Sequence, residues 1–144
     1  MAKHQINGKS IFDVWVMTIY EAIIFFEKLN PKISNALKDA SSILLGHLLI
    51  GQPTSTISGG ENIRIKLLKL RNSKADILGI DEPFKGLSLT EIFSVVSFPL
   101  EMIKKEKTII VIDHSEEAFQ FFAKHIELIS DKGIQRIITI TQIT

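Results

Sequence analysis

Two carboxylates stand side by side at the end of an apolar run, in Ala75-Asp-Ile-Leu-Gly-Ile-Asp81-Glu82-Pro83. At the carboxyl end of a parallel strand, such a pair suits Mg²⁺ held through water by one carboxylate while the other orients an attacking water. This is the Walker B arrangement of nucleotide-hydrolysing enzymes, with Asp81 at a water-mediated metal and Glu82 as general base. A strand that simply ends in solvent-facing acids before a proline turn accounts for the same residues without chemistry.

A second group is Ser58-Gly59-Gly60-Glu61, just ahead of an apolar helical pattern. Ser58 and Glu61 alone form a helix capping box, a device repeated at Ser88-Leu-Thr-Glu91. The glycine pair is less ordinary. Glycine is costly in a first helical turn, and two of them let bare backbone N–H groups approach an anion such as a γ-phosphate, with the Ser58 hydroxyl as a further donor. The third group is a histidine, His114, behind the apolar run Thr108–Ile112. Alone, a histidine at a strand end is more often a capping or packing residue than a catalytic one. The order Gly-Gly helix start, strand with Asp-Glu, strand with His reads as the second half of an ATP-binding cassette.

These groups need elements to hold them. Thr18-Ile-Tyr-Glu21 is a capping box opening a helix to about Leu29, and Asn30-Pro31 ends it and starts another expected to run from Lys32 to about Leu49. Gly51-Gln-Pro53 predicts an exposed turn over Gly51–Thr56. From there helix and strand alternate: a helix from about Gly59 to Arg71, a strand Ile77–Ile80, a helix from about Leu89 to Lys105 with Pro99 inside it, a strand Thr108–Ile112 and a helix from Ser115 to about Ala123. Short strands at Ile126–Ile129 and Ile134–Ile140 complete the pattern, and the spacing implies a sheet that is at least partly parallel.

Composition bounds the alternatives. The 144 residues suffice for a compact core, and 17 Lys+Arg against 16 Asp+Glu leave no global basic field to argue for or against DNA. With no cysteine there is no disulfide framework, thiol nucleophile or cysteine-ligated zinc, and the four histidines show no metal-binding spacing. No apolar run is long enough for a membrane helix and no signal peptide is recognisable, so a soluble, cytoplasmic protein without membrane partners is expected.

The run GQPTSTISGGENIRIKL (Gly51–Leu67) closely resembles the signature of the UvrA family, the damage-recognition ATPases of the ABC excinuclease, whose C-terminal cassette typically reads GQPATTLSGGEAQRVKL. Upstream, Ile6–Ile33 is similar to the family pattern K-x-I-x-D-V-L-x-M-T-V-E-E-A-x-x-F-F. Downstream, ILGIDEPFKGLS and TIIVIDHS match LYILDEPTTGLH and TVVVIEHN. The resemblance implies an α/β fold, a P-loop NTPase (ABC ATPase)-like partial sheet with an N-terminal helical signature subdomain, divided into 1–56 and 57–144. It implies that Ser58, Gly59, Gly60 and Glu61 contact nucleotide held by a partner cassette, Asp81 and Glu82 form the Walker B pair, Phe84 to Ser88, with Gly86, Leu87 and Ser88 at its end, form the D-loop, and His114 senses the γ-phosphate. The cofactors implied are ATP and Mg²⁺, with no zinc in this chain. The partners implied are damaged duplex DNA, a second cassette or self-dimer, and a UvrB-like excinuclease component.

The departures are specific. Phe84-Lys85 stands where the family has Thr-Thr, Asp113 where it has Glu, and the C-terminal stretch IQRIITITQIT replaces a Gly-rich tail. Gly8-Lys9-Ser10 resembles the end of a phosphate-binding loop, but Lys3 occupies the position of its first glycine, so the match is coincidental. Without a P-loop, the chain is expected to be inactive alone and to complete an ATP site whose P-loop lies elsewhere, the family's last zinc module ending just before position 1. The alternatives are a non-catalytic dimerisation or DNA-binding module derived from such a cassette, and a transporter or chromosome-maintenance ATPase. The GQP run and the lack of flanking heptads weigh against that last class.

Overall fold

The computed structural model describes residues 4–130 and 133–140. The last four residues of the expected C-terminal segment, 141–144, lie outside the described residues. The chain divides into two compact units, Met1–Glu61 and Asn62–Thr144.

The first unit holds helices α1 (Ile11–Trp15), α2 (Ile19–Phe26) and α3 (Pro31–Ser42) and a 3₁₀ turn at Thr54–Thr56. Before α1, Asn7 and Gly8 both take positive φ in a tight turn closed by hydrogen bonds between Ile6 and Lys9. Ser10 then caps α1: its N–H donates to Asp13 Oδ2 at 2.7 Å and its hydroxyl accepts from the Asp13 N–H. Gly8-Lys9-Ser10 is thus a turn and a helix cap, in line with its reading as a coincidental match. Thr18 and Glu21 cap α2 in the same reciprocal way, and Asn30 followed by Pro31 opens α3.

Helix α3 stops at Ser42, short of the expected Leu49. Local periodicity misleads here because the segment beyond it pairs with a distant one. The Ile19 and Tyr20 N–H groups donate to the Leu48 and Gly46 carbonyls, and the Ile50 and Gly51 N–H groups donate to Met17 and Trp15. Leu44 takes φ +66° at the break, and Ile43, Leu45 and Leu48 are buried along a rail of successive turns instead of a helix face. Two glycines let aromatic rings lie over this segment: a Cβ at Gly46 would overlap the Tyr20 ring, and one at Gly51 the Trp15 indole.

Helix α4 (Gly59–Leu70) leads into the second unit, which contains β1 (Ile77–Asp81), α5 (Leu89–Ile103), β2 (Thr108–Ile112), α6 (Glu116–Phe119), β3 (Lys124–Ser130) and β4 (Gly133–Ile140). The sheet order is β1-β2-β4-β3. Strands β1 and β2 are parallel with Ile77 opposite Thr108 and Asp81 opposite Ile112, whereas β4 is antiparallel to both β2 and β3. The sheet is therefore partly parallel, as expected, and its parallel pair carries both motif ends. Leu78 and Ile80 of β1 and Ile109 and Val111 of β2 point inward on alternate residues. Helix α5, which connects the pair, brings Ile92, Val95, Val96, Phe98 and Met102 into the core. Helix α6 has four residues rather than the nine expected. The chain tightens after Phe119, with Phe121 and Phe122 N–H groups donating to Ala118 and Phe119, to bury Phe122 and set Phe121 edge-on to Phe93 at 4.8 Å.

Candidate functional site

The first unit presents Ser58 to Glu61 as the capping box that the spacing predicts. The Ser58 N–H donates to Glu61 Oε2 at 2.7 Å and the Glu61 N–H donates to Ser58 Oγ at 3.3 Å. Sequence reasoning misses a third member: His47 Nε2 lies 2.7 Å from Glu61 Oε1. Glu61 is therefore held well below the usual carboxylate range, at about 2, first by the Ser58 N–H, then by the Ser58 hydroxyl and His47. No sequence signal could have found His47, fourteen positions upstream on the rail that follows α3. At Gly59 a Cβ would meet nothing within 4 Å. Packing among the described residues gives this position no reason to be glycine.

The second unit brings the ends of β1 and β2 together. Asp81 closes β1 with its side chain exposed, and Glu82 turns out of the strand with φ +47° while its N–H donates to the Ile112 carbonyl at 2.7 Å. Its carboxylate then faces an ammonium and an imidazole. Lys85 Nζ lies 2.5 Å from Oε2 and His114 Nε2 lies 3.8 Å from Oε1. The Lys85 hydrogen bond and charge, with a smaller share from His114, hold Glu82 below the usual carboxylate range; Glu82 in turn raises Lys85.

Asp113, buried to 2% exposure, ties the two strand ends together. Its Oδ2 accepts from the Phe84 N–H at 2.9 Å and its Oδ1 from the Ser115 N–H at 2.8 Å. The loop after β1 and the loop after β2 are thus fastened through one carboxylate. Phe84 lies below this junction, 1% exposed, its ring centroid 6.0 Å from that of Phe122. Gly86 takes φ +72° to turn the loop, and Ser88, its N–H donating to Glu91 Oε2 at 2.8 Å, starts α5. A cavity of about 450 Å³ opens over the junction, lined by Glu82, Lys85, Gly86, Asp113, His114 and Ser115.

The structure therefore brings Glu82, Gly86, Leu87 and His114 around one cavity, with Ser88 starting α5 behind them; Asp81 lines a second cavity of about 370 Å³ with Lys66 and the apolar side of α4. No group of three metal-binding side chains occurs among the described residues. A single exposed carboxylate at a strand end still fits Mg²⁺, which keeps most of its waters and takes remaining ligands from phosphates. Of the basic residues in α4, Lys66 is exposed and Arg64 is buried, facing the charge of Glu91.

No protein-family model matches the chain. Over 112 residues, 76% of the chain, it is 38% identical to the UvrABC system protein A of Clostridium perfringens and 37% identical to that of Bacillus subtilis, covering 12% of each. Over 130 residues, 88% of the chain, it is 34% identical to the same protein of Staphylococcus epidermidis, covering 14% of it. The crystal structure of UvrA2 from Deinococcus radiodurans matches the fold with a TM-score of 0.75 and 31% identity, over 82% of this chain and 15% of that one. The chain spans about one eighth of the length of the first two curated relatives. Its strands and loops form a partial ABC ATPase fold, and the chain belongs to the UvrA family.

Proposed function

We propose that this chain is the C-terminal part of a UvrA-like DNA-damage-recognition ATPase, supplying signature, Walker B pair and switch histidine to an ATP site whose P-loop comes from another segment. The observation that carries the reading is the meeting of Glu82 and His114, 3.8 Å apart, at the ends of two parallel strands. In that site Glu82 takes the proton of a water as its oxygen attacks the γ-phosphorus; the bond to the bridging oxygen breaks, and ADP and phosphate leave. His114 donates toward the γ-phosphate, and the N–H groups of Gly59 and Gly60 with the Ser58 hydroxyl meet the nucleotide of a facing cassette. Asp81 would hold Mg²⁺ through water, the ion neutralising phosphate charge. Gly86, Leu87 and Ser88 line the approach as a D-loop. The partners that go with this reading are damaged duplex DNA, a second cassette and a UvrB-like excinuclease component.

The test is reconstitution. A P-loop-bearing segment of a UvrA protein added to this chain is expected to restore ATP hydrolysis that the chain lacks alone, and Glu82→Gln is expected to lower turnover by about 100-fold or more. Undiminished turnover in the Glu82→Gln complex rules out the role given to this carboxylate. DNA binding without any dependence on ATP would favour the non-catalytic module instead.

A further inference from the structure

The residue pair after Pro83 is Phe84-Lys85, where the motif it resembles has Thr-Thr. The two side chains go opposite ways. Phe84 is buried against Phe122, so the loop is anchored, and Lys85 is left two-thirds exposed at the mouth of the cavity. Its ammonium reaches back three residues to Glu82 Oε2 at 2.5 Å. The other oxygen, Oε1, is turned toward His114. A general base must offer a free lone pair to water, and its strength falls when a cation stabilises its ionised form. Here one oxygen is held by an ammonium while the other is turned toward His114, and an uncharged threonine at position 85 would set no opposing charge against the carboxylate.

We propose that Lys85 is a positioning residue that brakes hydrolysis: it holds the Glu82 carboxylate out of the attacking water's reach until nucleotide and a facing cassette draw the ammonium away. This rests on the ATPase reading of the site. Because the pair is exposed, its hold is modest and salt-sensitive, worth about two- to five-fold in turnover.

The experiment compares Lys85→Thr and Lys85→Arg with the unaltered chain in the cassette completed by a P-loop-bearing segment. Lys85→Thr is expected to raise kcat about two- to five-fold with KM unchanged, and Lys85→Arg to keep the slow rate. Raising salt from low ionic strength is expected to narrow the gap between the unaltered chain and Lys85→Thr. In the chain alone, the Lys85 ammonium signal in ¹⁵N spectra is expected to change on Glu82→Gln; an unchanged signal means the pair does not form and overturns the brake. A Lys85→Thr cassette that is no faster than the unaltered one, while Glu82→Gln is inactive, overturns the brake and leaves the ATPase reading standing. A Glu82→Gln cassette as active as the unaltered one removes the ATPase reading itself, and turnover absent from every variant removes both.

Discussion

Asp113→Ala removes the buried carboxylate that fastens the loop after β1 to the loop after β2. The carboxylate is 2% exposed and accepts from Phe84 and Ser115 N–H groups at 2.9 and 2.8 Å. A hydrogen bond to a charged group contributes about 1.5–3 kcal/mol, and a buried donor left without an acceptor is a cost in its own right. Losing both is therefore expected to destabilise the second unit by about 3–5 kcal/mol. Against a typical domain stability of about 5–15 kcal/mol this is a large share. In urea, with a slope of about 1–3 kcal/mol per molar, the midpoint is expected to fall by about 2 M. Far-UV circular dichroism gives the midpoint, and hydrogen exchange locates the loss, because the Phe84 and Ser115 amides should lose protection before those of Ile109 and Val111. Asp113→Asn keeps the shape and one acceptor but sets an NH₂ against one of the two donors, so it should fall between alanine and the unaltered chain. A loss below about 1 kcal/mol with both amides still protected would refute the view that this carboxylate holds the junction.

Two further outcomes follow from the first unit. Gly51→Ala should push the Trp15 indole off the rail and shift the emission of this single tryptophan, without unfolding the chain; unchanged emission would mean that the ring does not rest on Gly51. Glu61 titrates at about 2 in the fold against an ordinary value of 4.5, so its contacts with Ser58 and His47 add stability that is fully present above pH 4.5 and is lost as pH falls from 4.5 toward 2. Glu61→Gln should remove that part of the acid dependence, and urea midpoints of both forms falling in parallel over this window would count against it.

Elements built from local signals were legible in the sequence. Strand β2 lies at Thr108–Ile112 as expected, β1 extends one residue further to Asp81, and the capping boxes at Thr18, Ser58 and Ser88 stand where their spacing puts them. What escaped depends on partners far away in the chain. The end of α3 is decided by backbone pairing between residues 15–20 and 46–51, which no periodicity in Ile43, Leu45 and Leu48 records. Helix α6 is short because Phe122 is taken into the core beside Phe84. In the site, motif order placed Glu82 and His114 behind two neighbouring strands, but did not reveal Asp113 as the tie between their loops or Lys85 as the counter-ion of Glu82. Those roles appear only once β1 and β2 lie side by side.

The backbone of Glu82 sets local strain against the place its carboxylate takes. A side chain with φ +47° is strained in a way that glycine is not and asparagine is less so. Selection for stability alone would favour replacing this glutamate by glycine, which relaxes the turn and frees Lys85. The same left-handed torsion occurs at Leu44 and Glu106, outside any motif, so it belongs to a turn that the fold imposes, and Glu82 holds its carboxylate at the junction of β1 and β2 against that local cost.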